Sequence, residues 1–124
     1  MPFLDSAKSL VMQLPNNDTT RVVLEYLLAN AVGRLNACPW EKINAHLKTK
    51  GISLTREQFQ QSILANTRSG DIFIGSNDHG TGRGYFLIQD QDDARVAREF
   101  YLRRIAAQQT NLNHLDNLIG QKWP

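Results

Sequence analysis

The chain has 124 residues, 41% of them hydrophobic and 21% charged. This suits one domain with a modest core and excludes a disordered chain. The formal net charge of +2 excludes a strongly basic coat, and the single cysteine, Cys38, excludes an intrachain disulfide or a cysteine-based zinc site. The longest apolar run is too short to span a bilayer. Residues 1–8 carry no basic segment leading into an apolar stretch, so no signal peptide and a cytoplasmic location are expected.

Phe3, Leu4, Ala7, Leu10, Val11 and Leu14 recur at three- and four-residue steps, which predicts a helix within residues 1–15, stopped by Pro15. Asp18 or Thr19 can cap the next helix. Residues 21–32 are densely apolar, so this helix must be covered on more than one side, and Gly33 ends it. Residues 34–38 read as a connector. Pro39 suits a first helical position and Glu41 the first turn, so residues 39–51 read as a helix with Trp40, Ile43 and Leu47 on one face and Gly51 as its stop.

Thr55 with Gln58 three residues later is a capping-box pattern opening a third helix over 55–69. Phe59 and Ile63 mark its buried face, and Glu57, Gln58, Gln61, Ala65 and Arg68 are expected to point away. Residues 71–75 and 85–88 read as two strands of an antiparallel hairpin, joined by a glycine-rich loop over 75–84. Acidic residues at Asp90, Asp92 and Asp93 suit a helix start. No proline or glycine interrupts residues 92–119, where Ala94, Ala97, Tyr101, Ile105, Gln108, Leu112, Leu115 and Ile119 form a near-heptad stripe. A break over residues 110–113 is an alternative, because Thr110, Asn111 and Asn113 are poor helix formers.

The pattern is three helices, the Lys50-Gly51-Ile52-Ser53-Leu54 corner, Ser69-Gly70-Asp71-Ile72 leading into a strand and Arg83-Gly84-Tyr85-Phe86-Leu87 returning. In it, residues 20–88 resemble the winged helix-turn-helix superfamily. The fold expected is mainly α with a small β-hairpin (α+β): an N-terminal helix in 1–15, a winged-helix domain over 18–88 and a long C-terminal helix over 92–119. Most members of this superfamily are DNA-binding regulators; some are protein-interaction modules. The resemblance implies a third helix in the major groove and a wing on the backbone or minor groove of double-stranded DNA. Carried onto this chain, Gln58 and Gln61 have the amide geometry to pair with adenine, and Arg56 and Arg68 reach phosphate or guanine. Ser53 and Thr55 hold phosphate at the helix start, and Lys48 and Lys50 flank the groove. Asn77, His79, Thr81 and Arg83 are the wing candidates. The plainer reading of all these side chains is a solvated surface.

The stripe at Tyr101, Ile105, Gln108, Leu112, Leu115 and Ile119 predicts a homodimer, presenting two third helices to successive major grooves. Such a protein would regulate transcription, replication or partition by occupancy, with no cofactor. The rival readings are a winged-helix interaction module that holds a different protein and an accessory subunit of a nucleic-acid enzyme. The glycines of residues 80–84 precede a strand rather than a helix, so a nucleotide-binding loop is not expected. His46, His79 and His114 lack metal-ligand spacing, Cys38 has no nearby basic activator, and no catalytic constellation is found. Trp40 reads as a core anchor. Trp123 reads as a residue that folds back, meets a partner or sits in a loose tail.

Overall fold

The computed structural model describes residues 2–68, 72–78 and 83–124. The architecture is α+β: mainly helical, with one two-stranded antiparallel sheet among the described residues. Helix α1 (Pro2–Gln13) lays Ala7 into the main core, with Leu4, Leu10 and Val11 half-buried against it. It packs on α2 (Thr19–Asn30). Asp18 caps α2 through its carboxylate, which accepts from the Arg21 amide at 3.2 Å. Val22, Val23, Leu24 and Leu27 of α2 are buried, as its dense apolar composition requires.

α2 ends at Asn30, short of the expected Val32, because the next residues pair with the sheet. Ala31 turns out of helical geometry, its carbonyl accepts from the Leu87 amide at 2.8 Å, and the Gly33 amide donates to the Leu87 carbonyl at 2.8 Å. After a short 3-10 turn (Arg34–Asn36), Cys38 exchanges two 2.8 Å hydrogen bonds with Tyr85. The end of the expected helix and the expected connector thus form two isolated bridges, Val32 with Leu87 and Cys38 with Tyr85, along the edge of the hairpin.

Helix α3 (Trp40–Thr49) buries Ile43 and Leu47, each worth about 1.5–3 kcal/mol. Helix α4 is the next element, one rod over residues 56–68: an α-helical turn (Arg56–Gln58), a π-helical segment (Phe59–Leu64) and a last α turn (Ala65–Arg68). Its capping box is complete: the Gln58 amide donates to Thr55 Oγ1 at 3.1 Å and the Thr55 amide donates to Gln58 Oε1 at 2.9 Å. The π segment holds more residues per turn than an α-helix, which re-phases the last turn of the rod. Leu64 and Thr67 join Phe59 and Ile63 in the buried set, and Arg68 swings toward the hairpin.

The strands are β1 (Ile74–Asn77) and β2 (Gly84–Leu87), paired Ile74 with Leu87 through Asn77 with Gly84. β1 starts three residues later than expected and runs on to Asn77, so Gly75, expected as the last strand residue, lies inside it, while Gly84, expected in the loop, opens β2. Both are demanded by close approach. A Cβ on Gly75 would lie 2.7 Å from the Phe86 ring. A Cβ on Gly84, which has φ 129°, would lie 2.3 Å from the Cys38 carbonyl oxygen.

Helix α5 (Gln91–Lys122) runs unbroken for 32 residues, past the suspected break. Asp90 caps it, accepting from the Asp93 amide at 2.8 Å. Asp93 does more than favour a helix start. It is buried, and its carboxylate accepts from the Arg34 amide (3.0 Å), the Arg34 guanidinium (2.8 Å) and the Gln89 amide (2.9 Å). Ala97 and Phe100 are buried beside it, whereas from Leu102 onward every residue is exposed except half-buried Leu118. No helix among the described residues is long and apolar enough to cross a membrane.

Candidate nucleic-acid interface

Four elements meet around a cleft of ≈ 430 Å³. α3 contributes its first turn with Trp40 and Glu41; α4 contributes Arg56, Gln60, Leu64 and Arg68, one residue per turn along one side. The hairpin contributes Ser76, Asn77, Asp78, Arg83 and Tyr85, and α5 contributes Phe100, Tyr101 and Arg104. Phe59 anchors the arrangement from below: its ring lies 4.9 Å from that of Trp40 and 5.1 Å from that of Tyr85. Gln60 Nε2 donates to the Tyr85 hydroxyl at 3.2 Å, tying α4 to β2.

The cleft gathers four of the residues singled out from the sequence as DNA contacts: Arg56, Arg68, Asn77 and Arg83. Arg56 and Arg83 are exposed and Asn77 is half-buried. Arg68 does not point outward as the helical wheel implied. Its Nε and Nη2 donate to the Ile74 carbonyl at 2.9 and 2.6 Å, and Nη2 also donates to Ser76 Oγ at 2.8 Å. Its guanidinium lies 4.9 Å from the Phe73 ring centre and 5.7 Å from that of Tyr101. Burial pulls its pKa below the ordinary value, with Tyr101 and Tyr85 opposing and the neighbouring Arg104 adding to the fall; an arginine stays charged throughout. This side chain fastens α4 to the hairpin, and a groove contact would first have to release it.

The other third-helix residues divide. Gln61 is exposed and outside the cleft wall. Gln58 is exposed, but its amide oxygen is held in the capping box, so a bidentate adenine contact would undo that cap. Thr55 is likewise engaged through its hydroxyl. Ser53, Lys48 and Lys50 are exposed on the α3–α4 corner, and Lys50 borders a separate hollow beside Tyr26 and His46. His79 and Thr81 lie outside the described residues.

Sequence reading missed Trp40, Gln60, Tyr85, Tyr101 and Arg104 as members of this site. The four-residue step Arg56–Gln60–Leu64–Arg68 was a visible signal for Gln60. Arg104 carried none, since only the packing of α5 on the hairpin brings it there. That packing includes an ion pair of Arg103 with Asp78 at 3.3 Å. Among the described residues, no group of three His, Cys, Asp or Glu is placed to hold a metal ion.

The stripe on α5 also divides. Tyr101 is half-buried within its own chain, edge-on to Phe73 at 6.1 Å and to Phe100 at 5.5 Å. Ile105, Leu112, Leu115 and Ile119 are 62%, 50%, 52% and 42% exposed, and Gln108 is exposed among them. Trp123 is 75% exposed at the helix end. Comparison of the chain with protein-family models, with curated proteins and with solved structures finds no match.

Proposed function

We propose that the chain is a winged helix-turn-helix protein that binds double-stranded DNA as a homodimer, without a cofactor and without catalysis of its own. The observation that carries this reading is the convergence of Arg56 from α4, Arg83 from the hairpin and Arg104 from α5 on one cleft. Phosphate neutralisation by arginine and lysine supplies most of the affinity for duplex DNA, and a local cationic face serves where the net charge is small. The order of elements supports the fold assignment. A helix is followed by a sheet-edge segment, two helices joined by a short corner, and a hairpin whose second strand pairs with that edge. In this reading α4 enters the major groove with Arg56 and Gln61, and the hairpin lies on the backbone or minor groove. Occupancy of the site would regulate transcription, replication or partition.

The homodimer reading rests on α5. From Tyr101 the spacing 4-3-4-3-4 places Ile105, Gln108, Leu112, Leu115 and Ile119 at successive core positions of a heptad, and this face is uncovered within the chain. A second copy offers the same stripe, and Gln108 is the kind of single polar core residue that sets register. The single, buried Cys38 suits a reducing compartment, and we place the protein in the cytoplasm on that ground.

Substitution separates the two kinds of DNA contact. Arg56→Ala weakens binding to all duplexes alike and lowers the salt slope by about one if Arg56 meets phosphate. Gln61→Ala relaxes sequence preference by about 1–3 kcal/mol if Gln61 reads a base. Unchanged affinity and preference in both variants would remove α4 from the interface.

A further inference from the structure

We propose that the cleft between α4, the hairpin and α5 is a binding site for a nucleotide, with the base against Trp40 and the phosphates held by Arg104 in the positive field of the structurally engaged Arg68. Three observations carry this. First, the cleft is large enough for such a ligand: ≈ 430 Å³ falls within the range of about 300–1,000 Å³ in which small-molecule sites lie. Second, its charge is one-sided. Four arginines line it against Glu41 and Asp78, and Asp78 is already paired with Arg103. Arg68 is satisfied by a carbonyl, a hydroxyl and ring faces, and among the described residues no carboxylate lies within ion-pair distance of it. Arg104 rests over the Phe100 ring at 4.5 Å and adds a second like charge close by. Two neighbouring guanidiniums in a partly desolvated cleft favour an anion, and the planar fork of Arg104 suits the several acceptor oxygens of a phosphate. Third, the wall is aromatic as well as cationic. Trp40 is half-buried on Phe59 yet borders the cleft, and aromatic surface beside arginine suits a planar base.

A nucleotide held there would touch α3, α4, the hairpin and α5 together, and so bias how the reading helix sits against the C-terminal helix. The proposal does not depend on duplex binding and is tested without DNA. In a Trp123→Phe protein, Trp40 is the sole tryptophan and reports on the cleft. Titration with purine and pyrimidine nucleoside monophosphates and diphosphates is compared with the nucleosides and with inorganic phosphate. The expected result is saturable quenching by a nucleotide, at least tenfold tighter than by either half, and at least tenfold weaker in Arg104→Gln. Arg98→Gln, on an exposed part of α5 away from the cleft, binds as the parent does. Phosphate binding as well as any nucleotide would overturn the base contact, and absence of saturable nucleotide binding would overturn the site. Undiminished binding in Arg104→Gln would overturn it as well. Calorimetry on the unmodified chain repeats the comparison independently of fluorescence.

Discussion

Asp93 is the residue on which the junction of α5 with the rest of the chain depends. Burial by itself would push its carboxyl up, but the Arg34 and Gln89 amides and the Arg34 guanidinium hold it below the usual carboxylate range. The unfolded chain therefore takes up this proton first on acidification. The stabilisation is complete above about pH 5, where an unperturbed carboxylate is almost fully ionised, and is lost as pH falls through the lower folded value. Asp93→Asn is expected to cost about 2 kcal/mol at neutral pH, because charged acceptors make the stronger hydrogen bonds. The gap between the urea midpoints of the two proteins should narrow as pH falls below about 4, and a constant gap would mean that charge is not what Asp93 contributes. Gly84 acts through space rather than charge. Gly84→Ala must both hold a positive φ and push the Cys38 carbonyl aside, so it should lower stability by about 2–3 kcal/mol in a denaturant titration. A variant as stable as the parent would mean that residues 31–38 are not locked to β2.

At the scale of elements, what was legible in the sequence is what local chemistry decides. The capping box at Thr55 and Gln58 and the apolar steps of α1 and α3 are written in neighbouring residues, and the helices form there. The segment 31–38 was not legible as a sheet edge, because its partners Tyr85 and Leu87 lie some fifty residues away and no residue type in it announces pairing. Gly84 misled in the opposite direction. It read as loop, yet it is a strand residue kept small by Cys38, as Gly75 is kept small by Phe86. The π segment of α4 has no sequence marker, and it is the reason Arg68 faces the hairpin rather than solvent. The site was half legible for the same reason: Arg56, Arg68, Asn77 and Arg83 were found, while Trp40, Tyr85, Tyr101 and Arg104 enter only through tertiary packing. The uncovered stripe on α5 yields a test of the element itself. Leu112→Glu with Leu115→Glu places charge on the seam and should give a monomer by light scattering, with the helical signal of the α1–α4 core kept. A dimer that survives both charges would have to use another surface.

Taken as a whole molecule, the chain joins a mixed α/β body to a helix whose second half, beyond Arg104, is exposed except for half-buried Leu118. The cleft sits where the two meet, so a ligand or a duplex engaged there touches the elements that carry the proposed base readout and the one that carries the proposed dimer seam. The small net charge of +2 makes the distribution of charge, rather than its sum, the property that decides between a DNA-binding protein and a module that only holds other proteins. Binding of the purified chain to random duplex DNA across a salt series is the most direct measurement of this. DNA binding predicts a linear fall of log affinity with log salt, with a slope of about −0.9 for each phosphate neutralised, and hence of about −3 to −4 if Arg56, Arg83 and their dimer mates all meet the backbone. No measurable binding at low salt would contradict the account and favour a module that only holds other proteins.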